Sequence, residues 1–258
     1  MDNIKVLISG DSNYYKFLHR IELNIFEKFG SYPVIYDLGL TEVQIKSLKS
    51  EVRKVDFLAK YKDYNELGFI QATHKPDCIL DFLNNNKEDC LYLDADMLIS
   101  RKFTKDDLFF KGYDIAVTPR HIEERYEKLI KNGYINSGFM FFRNNQKSIQ
   151  MIKSWIDECQ NKNTTDQLAM SNLLTIDGHD LFSKKELLLN ETRVCLLDAQ
   201  KYNDISLSSG LILHYKNAGR YSEVFKRYKF DYWSIKYNLH LRFFYFLILR
   251  IKKKLISK

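Results

Sequence analysis

Proline and glycine are scarce: the chain has three prolines and ten glycines in 258 residues. That excludes collagen-like, linker-rich and disordered organisation, which need these residues in quantity. Cys78, Cys90, Cys159 and Cys195 stand far apart, with no C-x-x-C pair. They read as reduced, mostly buried thiols, which fits a cytoplasmic address. A long apolar run is missing too. The most apolar stretch, Phe243 to Leu249, is seven residues between two arginines, whereas a spanning helix needs about 20. The opening MDNIKVLISGDSNYY has an acid at position 2 and only a short apolar run. It reads as a first strand, not as a signal peptide. Excess positive charge is absent from most of the chain. The formal net charge is +7, but residues 223–258 hold ten basic and two acidic side chains, leaving 30 basic and 31 acidic before them. A near-neutral body with a basic end argues against a nucleic-acid binder, which would spread a basic face over its fold.

What is present suits a globular α/β protein. Hydrophobic residues make up 45% of the chain, enough for a substantial core. Ile4 to Ser9 reads as a buried strand closed by Gly10. Tyr14 to Phe29 has apolar residues at helical spacing, stopped by Gly30. Tyr32 to Leu38 reads as a strand, and Thr41 to Ser50 as a helix with Thr41 as N-cap. Strand, helix, strand, helix implies a parallel sheet with crossovers. Further on, Asp77 to Leu83 is a helix with Pro76 in its first turn. Cys90 to Leu93, Asp114 to Val117 and Phe139 to Arg143 are strands. Ser148 to Cys159 and Asp166 to Leu174 are helices, and Gly210 to His214 is a late strand. From Tyr221 the pattern turns aromatic and basic. The expected organisation is one α/β domain over residues 1–222 and a basic, helical, aromatic segment over 223–258.

The strongest chemical signal is Leu91-Tyr92-Leu93-Asp94-Ala95-Asp96. In extended backbone, positions i and i+2 point to the same side. Asp94 and Asp96 can therefore face one ion at the carboxyl end of a strand, where open α/β sheets bind ligands. Two hard oxygen donors suit Mn²⁺ or Mg²⁺. His214, ending LILH, could complete the set with imidazole nitrogen, which Mn²⁺ accepts more readily than Mg²⁺. The turn Gly10-Asp11-Ser12-Asn13-Tyr14 is neither G-x-G-x-x-G nor a Walker A loop. Its Asp and Asn can bond a base edge and its Tyr can stack on one, or the turn can be an Asx-type helix cap. Small polar residues at Asn136-Ser137-Gly138 let backbone approach a ligand closely. Thr164-Thr165-Asp166-Gln167 reads locally as a helix start, with Thr165 as cap and Asp166 favouring the N-terminus.

In this order, LISGDSNY, LYLDADMLI, YINSGFMFF, TTDQLAMSNLL and LILHYKNAGR resemble the GT-A glycosyltransferases, above all glycosyltransferase family eight among the nucleotide-diphospho-sugar transferases. The resemblance covers about residues 4 to 220. It implies a single GT-A, Rossmann-like domain with a mixed, mainly parallel central sheet. It implies Mn²⁺ (or Mg²⁺) on Asp94, Asp96 and His214, with Asp94 also at the ribose. By the same resemblance the base falls to Ser9, Asp11, Asn13 and Tyr14. Asn136, Ser137 and Gly138 lie near the donor sugar, and Asp166 and Gln167 on its reacting face. Lys75 stands where the family has a basic residue reaching the donor. The family's H-x-x-G-x-x-K-P-W is represented here by His214-Tyr215-Lys216-Asn217-Ala218-Gly219-Arg220, with longer spacing and no K-P-W. Either Lys216 or Arg220 could meet the pyrophosphate, beside Gly219.

The implied activity is hexose transfer from a nucleotide diphosphate sugar, with UDP usual in the family, to a glycan or lipid-linked saccharide in surface polysaccharide or lipopolysaccharide synthesis. Family likeness favours retention of configuration; inversion would need a base, for which Asp166 is the candidate. Two other classes compete. A haloacid-dehalogenase-type phosphatase also uses D-x-D, but at the end of its first strand. A non-catalytic membrane-surface adaptor would rely on the tail alone. Trp233, Tyr237, Phe243, Phe244, Tyr245 and Phe246 could sit at a lipid interface while neighbouring cations meet anionic headgroups. Peripheral attachment to the inner face of the membrane is the expectation.

Overall fold

The computed structural model describes residues 3–54, 56, 73–126, 130–175, 180–216 and 221–238. The chain divides into two compact units, Met1–His214 and Tyr215–Lys258.

In the first unit, the apolar run β1 (Ile4–Gly10) is almost wholly buried and becomes a central strand. The spacing of helix α1 (Tyr15–Phe29) gives an apolar stripe of Phe17, Leu18, Ile21, Ile25, Phe26 and Phe29; the first four are buried, Phe29 is half-buried and Phe26 is exposed, and the helix ends on Gly30 with φ 79°. Only a residue tolerant of left-handed backbone closes a helix this way at little cost. Strand β2 (Val34–Asp37) leads to α2 (Glu42–Ser47). Thr41 and Gln44 form a capping box there, each side chain bonding the other's backbone N–H. Then come β3 (Glu51–Arg53), α3 (Lys75–Asn85), β4 (Asp89–Leu93), β5 (Met97–Ile99), β6 (Ile115–Pro119) and β7 (Ile135–Phe142). Helices α4 (Gln146–Asn161) and α5 (Asp166–Thr175), the hairpin β8 (Glu186–Leu189) and β9 (Thr192–Leu196), the short α6 (Ala199–Tyr202) and β10 (Ile212–His214) complete the unit.

Eight strands form one mixed sheet in the order β3-β2-β1-β4-β7-β6-β9-β8. The chain runs outward from β1 through β2 to β3, all parallel, then returns to set β4 parallel on the other side of β1. That reversal is the switch point where doubly wound sheets open a crevice beyond their carboxyl ends. Antiparallel β7 joins β4 to β6. The core gathers Tyr36, Phe82, Tyr92, Phe142 and Trp155 with aliphatic residues of α3, α4 and α5.

A second, two-stranded sheet pairs β5 with β10 antiparallel, setting His214 opposite Met97. Buried Asn24 of α1 holds β5 in place, donating to the Ile99 carbonyl at 3.1 Å and accepting from its N–H at 2.8 Å.

In the second unit, α7 (Ser222–Lys236) is organised by buried Asp231. Its Oδ2 accepts from Tyr215 Oη at 2.8 Å and from Arg227 Nε at 2.5 Å. Trp233 and Tyr237 stack with centroids 5.6 Å apart, and Lys236 Nζ lies within 6 Å of both rings. Phe243, Phe244, Tyr245, Phe246 and the terminal lysines lie outside the described residues. Among the described residues no helix is long and apolar enough to cross a membrane.

Candidate active site

The turn after β4 carries Asp94 and Asp96, and the β5–β10 pairing brings His214 to them across more than a hundred residues of chain. One ligand atom from each of the three lies within 4.8 Å of the others. His214 Nε2 is 3.4 Å from Asp96 Oδ1, and both side chains are nearly inaccessible. Asn203, just beyond α6, places Oδ1 2.6 Å from His214 Nδ1. If the amide accepts there, Nδ1 keeps the proton and Nε2 offers its lone pair, the tautomer a metal ligand needs. Two carboxylates and one neutral imidazole suit Mn²⁺ or Mg²⁺, so the residues present fit a divalent cation.

Beside this group is a buried ammonium. Lys75 is the first residue of α3, where the helix dipole disfavours positive charge, and it is 2% exposed. Asp94 Oδ1 at 2.9 Å and Asp166 Oδ2 at 3.3 Å outweigh both penalties. Burial alone would lower the Lys75 pKa, but the two aspartates carry it above the ordinary value. Nζ also donates to Ser137 Oγ at 2.8 Å and to its carbonyl at 3.2 Å. Ser137 Oγ in turn donates to Asp166 Oδ2 at 2.5 Å, and Trp155 Nε1 donates to the Asp166 carbonyl at 2.7 Å. Asp94, Lys75, Ser137 and Asp166 thus form one connected network.

Asn136, Ser137 and Gly138 lie inside β7, not before it as the sequence suggested, because the strand begins at Ile135. Its pairing with β6 jumps from Val117↔Met140 to Thr118↔Asn136, leaving 137–139 as a bulge. Bulges bend a strand and re-aim its side chains, so small polar residues are accommodated within a buried strand. A Cβ at Gly138 would lie 2.4 Å from Met97 Cε and 2.9 Å from Asp94 Oδ2, so these side chains would have to shift to admit it. The Gly138 carbonyl accepts from Asp94 N at 2.8 Å, fixing the start of the D-x-D turn. Asn136 Oδ1 accepts from Gly138 N, while its buried Nδ2 has no partner among the described residues. A buried amide donor left over beside the carboxylates is what a ligand oxygen would satisfy.

The first-strand residues divide. Asp11 Oδ1 accepts from the N–H of Asn13 at 2.9 Å and of Tyr14 at 3.2 Å, an Asx turn. Asn13 is exposed, Asp11 is half-buried, and Tyr14 is half-buried against Phe17. Ser9 is buried, its Oγ 2.7 Å from Tyr92 Oη. Thr165 does cap α5, accepting from Leu168 N at 3.3 Å. Lys216 belongs to the second unit, and Gly219 and Arg220 lie outside the described residues.

Sequence reasoning missed three residues. Tyr92 donates to Asp94 Oδ1 at 3.3 Å and lies under Lys75, with Nζ 5.0 Å from its ring centroid. Burial, reinforced by Asp94, drives its pKa well up. The i, i+2 rule that paired Asp94 with Asp96 also pairs Tyr92 with Asp94. Arg120, at the end of β6, donates to Gln167 Oε1 at 2.9 Å. A position just past a strand's carboxyl end was the available signal. Asn203 had none, standing in an aperiodic stretch eleven residues from its partner.

With acidic donors and a buried ammonium gathered beyond the carboxyl end of β4, beside the switch point of the sheet, the protein is a glycosyltransferase of the GT-A fold. A family model of nucleotide-diphospho-sugar transferases matches residues 6–227, and the chain belongs to that family. Among solved structures, the galactosyltransferase LgtC in complex with donor and acceptor sugar analogues is similar at 14% identity and TM-score 0.55. That similarity covers 89% of this chain and 95% of LgtC. A glycosyltransferase involved in glycosylation of the major capsid of PBCV-1 is similar at 13% identity and TM-score 0.52, covering 88% and 98%. These likenesses show the fold. No curated protein sequence matches the chain. The D-x-D stands at β4, not at the first strand, and the family differs from the phosphatase alternative.

Proposed function

We propose that this glycosyltransferase moves a hexose from a nucleotide diphosphate sugar, UDP-hexose foremost, to a glycan or lipid-linked saccharide, with retention of configuration. The observation that carries the reading is the contact of the Asp94–Asp96–His214 group with the buried Lys75–Asp166 pair through Asp94 itself. A divalent cation on Asp94, Asp96 and His214 would offset charge developing on the departing diphosphate. Around it, Lys75 holds Asp94 in place and lends positive charge to the donor pocket. Asn136 Nδ2 offers a buried donor to a sugar oxygen, and Ser137 and Gly138 keep the wall thin enough for the sugar to approach. Ser9, Asp11, Asn13 and Tyr14 supply the base end of the pocket. Lys216 or Arg220, with Gly219, is the proposed pyrophosphate contact.

Asp166 is the side chain an inverting reaction would require as base. It is 4% exposed, and its Oδ2 is already engaged by Ser137 and Lys75. That engagement supports retention, in which the leaving phosphate can take the acceptor's proton. Four buried cysteines, far apart in the sequence, support a reducing, cytoplasmic setting. Exposed Tyr221, Trp233 and Tyr237 beside Lys236 support attachment of the C-terminal segment to an anionic membrane surface, where lipid-linked acceptors for surface polysaccharide or lipopolysaccharide reside.

The test is a panel of UDP-, GDP- and CDP-sugars incubated with Mn²⁺, scoring nucleoside diphosphate release. Release from a UDP-hexose, abolished by EDTA and by Asp96→Asn, is expected. No release from any donor overturns the reading. Proton NMR of the anomeric product decides configuration. Flotation with phosphatidylserine vesicles, comparing wild type with a Lys252, Lys253, Lys254→Ser variant, decides attachment; equal binding sinks it.

A further inference from the structure

His214 takes its orientation from Asn203, and Asn203 stands at the end of α6. A helix of four residues has no stability of its own, so its direction depends on what its side chains grip. Lys201 and Tyr202 both grip one residue, Asp107, in the 3₁₀ turn Asp106–Gly112. Lys201 Nζ lies 2.7 Å from Asp107 Oδ1, and Tyr202 Oη donates to the Asp107 carbonyl at 2.6 Å. The Tyr202 ring packs on Phe110 and Phe139, with centroids 6.0 and 5.3 Å away. Asn203 N donates to the Ala199 carbonyl at 2.9 Å, so its side chain turns with the helix.

Asp107 is anchored in turn to the segment that leaves β5. Arg101, two residues past that strand, donates from Nη1 to Asp107 Oδ2 at 2.6 Å and from Nη2 to Oδ1 at 3.1 Å. Thr104 donates to Oδ2 from N at 2.7 Å and from Oγ1 at 2.9 Å. Ser100, between β5 and Arg101, donates to the carbonyls of Leu211 at 2.9 Å and Gly210 at 2.8 Å, just before β10. The hydrogen bonds from Arg101 outweigh burial and, with those of Lys201 and Thr104, hold the Asp107 carboxyl well below the ordinary range. Beyond Asn203, Asp204 runs beside β10, donating from N to the Ile212 carbonyl at 2.9 Å and accepting from His214 N at 3.0 Å. Asn203 therefore stands between two anchors, β10 on one side and Asp107 on the other.

The Asp107 side chain is 2% accessible, whereas those of Arg101 and Lys201 are 52% and 34% accessible. Cations that keep contact with water add little stability by pairing. The distinctive effect of the cluster is geometric: one buried carboxylate fixes α6 relative to the segment leaving β5.

We propose that Asp107 is a positioning residue that holds α6 so that Asn203 keeps its oxygen on His214 Nδ1, leaving Nε2 for the divalent cation. The proposal rests on the metal-site reading above. Asp107 acts through Lys201, Tyr202 and Asn203, not on the cation itself.

Mn²⁺ affinity is measured by calorimetry on the full chain for wild type, Asp107→Asn, Asn203→Ala and the double variant. Asp107→Asn should weaken Mn²⁺ about tenfold, as loss of outer partners of metal ligands does. The double variant should fall within about twofold of Asn203→Ala, since Asp107 acts only through that side chain. Unchanged affinity in Asp107→Asn, or losses that multiply, would overturn the proposal. Lys201→Gln leaves Arg101 and Thr104 on Asp107 and keeps the test open should Asp107→Asn fail to fold. It should weaken Mn²⁺ about threefold or more, and Lys201→Arg should stay within about twofold of wild type; wild-type affinity in Lys201→Gln would overturn the proposal as well. The imidazole tautomer gives a reading that needs no metal. In the metal-free chain with ¹⁵N-labelled histidine, His214 is assigned by its loss in His214→Gln. Its shifts should report the proton on Nδ1 in wild type and a mixture of tautomers in Asp107→Asn and Asn203→Ala. A wild-type tautomer in Asp107→Asn refutes positioning. A wild-type chain that binds no Mn²⁺, with the tautomer still changing in the variants, removes the metal-site reading and leaves the positioning of His214 standing.

Discussion

Replacing Lys75 by Met tests whether the buried ammonium is what keeps the site folded. The side chain makes four polar contacts through Nζ: Asp94 Oδ1, Asp166 Oδ2, and Ser137 Oγ and carbonyl. Met retains the apolar stem and removes the charge. Asp94 side chain is 25% accessible and can turn to water. Asp166 side chain is 6% accessible and keeps only Ser137. An unpaired buried carboxylate costs about 3–5 kcal/mol, a large share of a typical total stability of about 5–15 kcal/mol. With a urea m-value of about 3 kcal/mol/M, the midpoint should fall by about 1–1.7 M. Lys75→Met with Asp166→Asn removes the stranded charge and should recover about 2 kcal/mol. The assay is equilibrium urea unfolding by circular dichroism and tryptophan fluorescence, run on the chain without added metal. If Lys75→Met lies within about 1 kcal/mol of wild type, surface-like pairing is sufficient and the argument from burial fails. It fails equally if the double variant is no more stable than the single one.

Two further outcomes follow from groups around the network. Burial raises the thiol pKa of Cys78, Cys90 and Cys195, the last to about 12, from an ordinary 9.0. The folded chain therefore keeps protons that the unfolded chain sheds; this stability is fully present below pH 9 and is lost as pH rises toward the folded values. Urea midpoints between pH 8 and pH 11 should fall, at about 1.4 kcal/mol per pH unit for each thiol once the unfolded thiol ionises, and a flat profile would contradict the burial. Asn203→Ala frees His214 Nδ1 and should weaken Mn²⁺ about 10- to 100-fold in calorimetric titration, whereas unchanged affinity would show that the amide does not orient the ring.

Helices α1 and α2 were legible from local rules, apolar spacing and an N-cap threonine. The D-x-D pair was legible as a motif, but its aspartates converge through a turn in which Met97 N donates to the Asp94 carbonyl, not through the extended i, i+2 backbone expected. The β8–β9 hairpin was not legible. Its turn residues Asn190 and Glu191 have φ 43° and 66°, the left-handed pair that the sequence signal Asn-Gly normally advertises. With glutamate in place of glycine the signal is missing. Strand β5 was hidden by its length of three residues, and its existence depends on pairing with a segment far along the chain. Asn136 to Gly138 looked like a loop because small polar residues disfavour strands; tertiary pairing and the bulge override that preference. The residues of the site were readable where they act locally. Their mutual contacts, through Lys75, Arg120 and Asn203, are long-range products of the sheet order.

Charge bookkeeping at the site leads to a last expectation. Asp94, Asp96 and Asp166 bring three negative charges, and Lys75 returns one positive charge. With His214 neutral, the described group carries two uncompensated negative charges, close to water-poor surroundings where they repel a diphosphate strongly. A divalent cation cancels that excess, so cation and nucleoside diphosphate should bind cooperatively. A coupling of about 1–3 kcal/mol corresponds to UDP binding about 5- to 150-fold tighter with Mn²⁺ than in EDTA, and linkage requires the same factor for Mn²⁺ with and without UDP. Calorimetry in both orders measures the two factors. Asp166→Asn removes one of the negative charges without touching the Asp94–Asp96–His214 group, so it should raise UDP affinity in EDTA more than in Mn²⁺. UDP binding that ignores Mn²⁺ in wild type, or that ignores the Asp166→Asn change in EDTA, would mean that another part of the protein balances the charge.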